Sequence, residues 1–235
     1  MNGPILEARN IMKSFGGVKA VDDVSIAVEP STINCIIGPN GAGKSTLFNV
    51  LCGALPATSG QILFRGDDIT KLPLHRFARI GISRKFQVPS VFSSLSVEDN
   101  LLVAASATDS SARERVGALL DTLDLAADRH RIAGLLAHGQ KQWLEIGMAM
   151  MIEPILLLLD EPTAGMTPTE TARTAALLKT LSSKVTILAI EHDMRFVRDL
   201  GGLTHVMHQG KLLMSGRVEE LEGDQLVRDI YLGRQ

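Results

Sequence analysis

The stretch GPNGAGKST, Gly38 to Thr46, decides how this chain is read. The apolar run Ile33, Cys35, Ile36, Ile37 comes before it, and Leu47, Phe48, Val50 and Leu51 come after it. That order is strand, glycine loop, helix. Gly38, Gly41 and Gly43 allow the backbone to turn tightly and to bring its N–H groups up to phosphate oxygens. A helix beginning near Lys44 aims its positive end at the same spot. Lys44 is placed to reach the β- and γ-phosphates of a nucleotide, and the Ser45 hydroxyl to ligate Mg2+.

The 235 residues are enough for one large domain, or one core with a subdomain. A net charge of −2 gives no reason to expect nucleic acid or anionic lipid as the main partner. Cys35 and Cys52 have no metal-ligand spacing and read as small core residues of a protein kept in a reducing compartment, the cytoplasm. The beginning MNGPILEARN lacks the charged-then-apolar pattern of a signal peptide. No apolar run approaches the roughly 20 residues of a membrane helix. Any service to a membrane is therefore expected to go through a partner that spans it.

Working outward, Ile5–Phe15 and Val21–Val28 alternate apolar and polar residues around the turn Phe15-Gly16-Gly17 and read as antiparallel strands. Gly53–Gly60 is turn chemistry, Gln61–Arg65 a short strand, Gly66-Asp67-Asp68 another turn, and Leu74–Ile80 a helix with Pro73 at its start. From Ser83 to about Leu136 strand signals disappear. Val97–Ala105 and Ala112–Leu123 show helical spacing, and Gln140–Met151 reads as the last helix of an insertion spanning about 88–151. The remainder, about 1–87 and 152–235, is an α/β core. Ile155–Leu159 and Val185–Ile190 are continuous apolar runs, hence buried parallel strands, with Thr169–Leu181 and Met194–Leu200 as helices. Thr204–His208 and Lys211–Ser215 form a hairpin around Gln209-Gly210.

Both buried runs end in charge, at Asp160-Glu161 and at Glu191-His192. Ligands of open parallel sheets sit at the carboxyl ends of strands, where the phosphate loop also lies. Three strand ends thus converge on one nucleotide. Asp160 would hold Mg2+, through water. Glu161 would accept the proton of the attacking water or polarise it, and His192 would contact the γ-phosphate from the far side.

Taken in order, GPNGAGKST, Gln87, LAHGQ (Leu136–Gln140), LLLLDEP and His192 resemble the ATPase subunit of an ATP-binding-cassette (ABC) transporter, over nearly the whole chain. The resemblance implies a P-loop NTPase of the ABC ATPase fold. Such a fold has a RecA-like core, an N-terminal antiparallel β subdomain and a helical insertion subdomain. It implies a dimer in which each ATP lies between one subunit's phosphate loop (Gly38, Pro39, Asn40, Gly41, Ala42, Gly43, Lys44, Ser45, Thr46) and the other's signature, here Leu136, Ala137, His138, Gly139 and Gln140. By the same resemblance Phe15 stacks on the adenine with Val18 nearby. Gln87 senses Mg2+ and links the site to membrane subunits, Glu161 is the catalytic base, and His192 is the switch residue. Mg2+ would fall to Ser45, Gln87 and Asp160. Independently of the family, Gly139 offers an N–H at the start of the helix placed near Gln140.

Two departures from the family pattern stand out. Ala137 replaces the signature serine, whose hydroxyl bonds the γ-phosphate across the dimer. Thr167 stands where many members carry an aspartate that communicates between the two sites. The stretches GISRKFQVPSVFSSLSVEDNL, HGQKQWLEIGMAM and EHDMRFVR are similar to importers of branched-chain amino acids, urea and short amides. Lys141-Gln142-Trp143, the run Gly165-Met166-Thr167 and the ending Tyr231-Leu232-Gly233 look closest to a urea-importer subunit, with a branched-chain amino-acid importer as the alternative. The expected setting is peripheral, on the cytoplasmic face of the inner membrane. The expected partners are a second ATPase subunit, integral membrane permease subunits docking near Phe86–Phe92, and indirectly a periplasmic binding protein. The rival readings are a soluble cassette ATPase, a P-loop kinase, and a binding module that has lost hydrolysis, the last suggested by Ala137 alone.

Overall fold

The computed structural model describes residues 3–85, 91–105 and 110–231. β1 (Leu6–Phe15) and β2 (Val18–Val28) pair antiparallel across Gly16-Gly17, and β3 (Ile33–Ile37) runs into α1 (Lys44–Leu51). Next come β4 (Ser59–Phe64), β5 (Asp67–Asp68) and β6 (Ile82–Lys85). Three helices follow: α2 (Val97–Ala104), α3 (Ala112–Leu123) and α4 (His138–Met150). β7 (Leu156–Asp160), α5 (Pro168–Ser182), β8 (Thr186–Ile190) and α6 (Met194–Leu200) return to the sheet. The hairpin β9 (Leu203–His208) and β10 (Lys211–Gly216) and the short helices α7 (Val218–Gly223) and α8 (Gln225–Tyr231) complete the described chain.

Two sheets result. β2-β1-β4-β5 is antiparallel. The second has the order β10-β9-β3-β8-β7-β6 and is parallel from β9 to β6. The parallel strands are buried on both faces, and the alternation of side chains along them decides which layer each residue joins. Ile36, Leu156, Leu158, Leu188 and Ile190 pack with Leu47, Phe48 and Leu51 of α1 and with the antiparallel sheet. Cys35, Ile37, Leu157, Leu159, Ile187 and Ala189 pack on the opposite face, with Leu101, Leu120, Leu144, Leu178 and Phe196 from the helices. Both cysteines are buried free thiols, and burial pushes Cys35 up to about 12, so it stays protonated.

Four readings change. Leu74–Ile80 is two single 3₁₀ turns, Leu74–Arg76 and Ala78–Ile80, not one helix. Asp67-Asp68 is a two-residue strand on β4 rather than a turn alone. β6 forms where no strand is expected, because Ser83-Arg84-Lys85 reads polar. Its residues pair parallel with Leu156–Leu159, and the edge of the parallel sheet holds charged side chains indoors. Finally, α4 starts at His138, two residues before Gln140, with Ala137 in extended conformation as its N-cap. Alanine offers no cap oxygen, so the cap position carries no letter to find. The Gln140 side chain supplies half a cap instead, accepting from the Ala137 N–H at 3.0 Å.

α5 is capped in full. Thr167 Oγ1 accepts from the Glu170 N–H, while the Glu170 carboxylate accepts from the Thr167 N–H and hydroxyl at 2.8 Å each. Those bonds hold the Glu170 carboxyl below its ordinary range. A lowered carboxyl stabilises the fold fully above its unfolded value of about 4.3 and ceases to do so as pH falls through the folded value. The stability gap between the wild type and Glu170→Gln, read from urea unfolding at pH 7, 5 and 3, should therefore shrink as pH falls. In the core, Leu178→Ala removes a fully buried side chain between α5 and the sheet. It should lower the unfolding free energy by about 2–5 kcal/mol with an unchanged urea m-value.

Candidate nucleotide site

The phosphate loop is shaped by what crowds it. Gly43 caps α1 at φ 97°, and a methyl group there would overlap the Ala20 carbonyl oxygen of β2. A methyl on Gly38 would overlap the Met207 carbonyl oxygen of β9. The loop thus needs glycine where two strands close on it, as well as for the turn itself. Gly43 brings no side-chain cap, so the first N–H groups of α1 face the loop mouth without a protein oxygen on them from that position. Lys44 folds over the loop, its Nζ donating to the Gly38 carbonyl at 2.7 Å and the Pro39 carbonyl at 3.1 Å. Burial lowers the Lys44 ammonium's pKa, and the Glu161 carboxylate pulls it back up. Ser45, Asn40 and Gly41 are exposed, Pro39 and Thr46 half-buried, and Ala42 buried under the loop.

Asp160 ends β7 in register with Ile190, the last residue of β8. The Glu161 N–H donates to the Ile190 carbonyl and the Glu191 N–H to the Ile36 carbonyl, each at 3.1 Å, so the ends of β7, β8 and β3 lie level. Asp160 is buried, and burial raises its carboxyl while Arg84, 3.5 Å away, opposes the rise. Arg84 is itself held by stacking on Phe48, 5.0 Å from the ring centre, and by a 2.8 Å contact with Cys52 Sγ. Glu161 has φ 45°, a left-handed backbone that a glutamate rarely adopts. That conformation turns its carboxylate out of the strand direction, 3.9 Å from His192 Nδ1. His192 is exposed, whereas its neighbour Glu191 is completely buried. Glu191 accepts from the Thr163 hydroxyl at 2.8 Å and N–H at 3.3 Å on one oxygen, and from the His192 N–H at 3.2 Å on the other. Burial raises its carboxyl against those bonds.

Lys44, Asp160, Glu161 and His192 are thereby brought to one place. Phe15 and Val18 are exposed in the turn at the end of β1 and start of β2, Val18 two residues before Ala20, whose carbonyl lies over Gly43, and Lys13 Nζ sits 5.0 Å from the Phe15 ring centre. Residues 136–140 do not join this group within the chain. Gly139 is the second residue of α4 and lies against the Glu170 carboxylate, His138 Nε2 is 3.0 Å from the Ala164 carbonyl, and Gln140 Nε2 donates to Asp128 at 2.8 Å. Gln87 and most of the Phe86–Phe92 elbow lie outside the described residues. Of the elbow's end, Val91 packs on the helical core and Phe92 is half-exposed, its N–H held by Asn100 Oδ1 at 2.7 Å.

Sequence reasoning gives no role to Arg84, Lys85, Thr163 or Glu191. The available signal is Glu191 directly after the apolar run Val185–Ile190; Thr163 and the polar run Ser83-Arg84-Lys85 carry none. Lys85 is fully buried against Glu145 of α4, 3.4 Å apart.

The oxygen donors Ser45 and Asp160 suit a hard divalent cation, and a loop of N–H groups closed by a lysine suits polyphosphate. Comparison with known proteins agrees. The family profile described as "ABC transporter" matches residues 21–164. The chain is 38% identical to the high-affinity branched-chain amino acid transport ATP-binding protein BraF of Pseudomonas aeruginosa, with 99% of each chain covered. It is 36% identical to LivG, of the same description, from Escherichia coli, again over 99% of both. The crystal structure of the ADP conformation of an ATP-binding cassette from an ABC transporter superposes with a TM-score of 0.90 at 34% identity, covering 98% of this chain and 99% of that one. A nucleotide loop, level acidic strand ends and this likeness along the full length lead to one conclusion: the chain belongs to the ABC transporter family, as one of its ATP-binding, ATP-hydrolysing subunits.

Proposed function

We propose that this chain drives an importer of branched-chain amino acids, working as a dimer on the cytoplasmic face of the membrane. The observation that carries the cargo class is the 38% and 36% identity to BraF and LivG across 99% of each chain. The urea reading rests on letters such as Lys141-Gln142-Trp143, and these lie on α4, remote from any cargo. The likeness to BraF and LivG supports the branched-chain alternative instead. Among the described residues no helix is long and apolar enough to cross a membrane, so attachment falls to permease subunits. The helical unit about 88–151 would carry their docking surface together with the signature.

In this reading Gly38 to Thr46 hold the triphosphate and Lys44 leaves its loop carbonyls for the β- and γ-phosphate oxygens. Phe15 and Val18 flank the adenine. Ser45, Asp160 and Gln87 would hold Mg2+, which neutralises phosphate charge when bound. Glu161 orients the attacking water and accepts its proton, and His192 braces the γ-phosphate beside it. The 3.9 Å between Glu161 and His192 leaves both groups facing one space. Leu136 to Gln140 complete the site of the second copy, with the Gly139 N–H at the head of α4.

Three outcomes test this. Lys44→Ala should abolish binding of a fluorescent ATP analogue. Glu161→Gln should bind ATP with near wild-type affinity while turnover falls by about 10²–10⁴-fold; wild-type turnover in that variant removes Glu161 from the chemistry. Ala137→Ser restores both a helix cap and a hydroxyl for the neighbouring phosphate. It should tighten ATP-driven dimerisation by about one to two orders of magnitude, read by analytical ultracentrifugation in the Glu161→Gln background. For the cargo, ATPase activity of the complex with its membrane subunits in proteoliposomes should rise with leucine-loaded binding protein and not with urea. Stimulation by urea alone overturns the branched-chain reading.

A further inference from the structure

Consecutive residues of β6 send charged side chains to opposite faces of the parallel sheet, and the charges of Asp160 and Glu191 also act on Lys85. Arg84 lies on the α1 face and reaches Asp160. Lys85 points through the opposite face, where the helices pack. Its side chain is fully buried, and Nζ lies 3.4 Å from Glu145 Oε2, on a side chain only 7% exposed. Glu145 follows the signature by five residues on α4, and Lys85 precedes Gln87 by two. Lys85 pairs with Leu159, one residue from Asp160. The pair therefore lies directly between the signature helix and the strand ends that form the nucleotide site.

Desolvating two charges is expensive, and an apolar pair of similar volume usually stabilises a core at least as well. Leu144, next to Glu145, and Leu159, paired with Lys85, belong to the apolar core on this face, so apolar packing was available. An ion pair adds something that packing of leucines does not. It is satisfied at one rotation and one axial position of α4, whereas apolar surfaces tolerate sliding.

We propose that Lys85 is a positioning residue, and that the buried Lys85–Glu145 pair fixes the signature helix α4 on the strand running into Gln87, so that residues 136–140 meet the nucleotide of a second copy at a set angle. This deepens the proposed function and rests on its dimeric site. ATP bound to the chain's own loop does not depend on the pair; closure onto another copy does.

The test compares Lys85→Met, the apolar double variant Lys85→Met/Glu145→Leu and the conservative Glu145→Gln with the wild type. The readouts are thermal stability, affinity for a fluorescent ATP analogue, kcat, and ATP-driven dimerisation in the Glu161→Gln background. Lys85→Met removes the cation 3.4 Å from the buried Glu145 carboxylate and should lower Tm by roughly 10 °C. The apolar double should recover most of that loss and bind ATP within about twofold of wild type. Its kcat and dimer affinity should nevertheless fall at least about tenfold, as expected for a misplaced transition-state contact. A double variant with recovered Tm and wild-type kcat and dimerisation overturns the proposal. If that variant does not fold, Glu145→Gln decides: a tenfold loss of kcat at unchanged ATP affinity supports the pair, and wild-type kcat overturns it. Absence of ATP-driven dimerisation in the parent Glu161→Gln protein would instead overturn the dimeric reading and leave the pair out of the account.

Discussion

The ladder that levels the strand ends is the constraint on which the rest depends. Two backbone hydrogen bonds, Glu161 N–H to the Ile190 carbonyl and Glu191 N–H to the Ile36 carbonyl, bring β7, β8 and β3 to a common edge. Glu161, Glu191 and His192 sit on the next one or two residues, and the phosphate loop follows β3. A slip of one residue in either pairing would turn Asp160 to the helical face and Leu159 toward α1, exchanging a carboxylate for a leucine. Asp160 opposes this slip, because leucines are accepted on either buried face and a carboxylate turned among the apolar helices is not.

Charge placement follows from that geometry. Asp160, Glu191 and Glu145 bring acid into a dry interior, and Lys44, Lys85 and Arg84 bring base. Burial pushes the Asp160 and Glu191 carboxyls up and the Lys44 and Lys85 ammoniums down; Arg84 opposes this at Asp160, Glu161 at Lys44 and Glu145 at Lys85, while hydrogen bonds from Thr163 and the His192 N–H oppose it at Glu191. Charges paired in this way are costly to move, and they keep donors and acceptors aimed before substrate arrives. Glu191 shows the principle most plainly. It reaches no solvent, yet by binding Thr163 and the His192 backbone it sets the distance between the loop that carries Glu161 and the strand end that carries His192.

The phosphate loop was legible because its backbone demands glycine where Ala20 and Met207 press on it, and such demands leave letters. The strands β7 and β8 were legible because two-sided burial leaves only apolar letters. β6 was not, since its task is to carry Arg84 and Lys85 into the interior, and polar letters read as surface. The start of α4 was misplaced by two residues because Ala137 sits where a cap serine is the usual marker. The cargo class was less legible: the urea reading used short runs such as Lys141-Gln142-Trp143, whereas relatives matched along the full chain are described as branched-chain amino acid transport ATP-binding proteins.

The two layers are attached to the site by different means. The antiparallel sheet is joined through backbone: the Asp22 N–H donates to the Gly210 carbonyl at 2.8 Å, the Gly210 N–H to the Ala42 carbonyl at 3.0 Å, and Gly43 lies under Ala20. Backbone bonds between regular elements have one geometry and do not adapt. The helical layer is joined through side chains instead. Trp143 Nε1 donates to Thr174 Oγ1 at 2.9 Å, His138 meets Ala164, and Lys85 meets Glu145. These side-chain bonds fix the helical layer as well, but a substitution can remove them one at a time, which no substitution short of proline does to the backbone bonds.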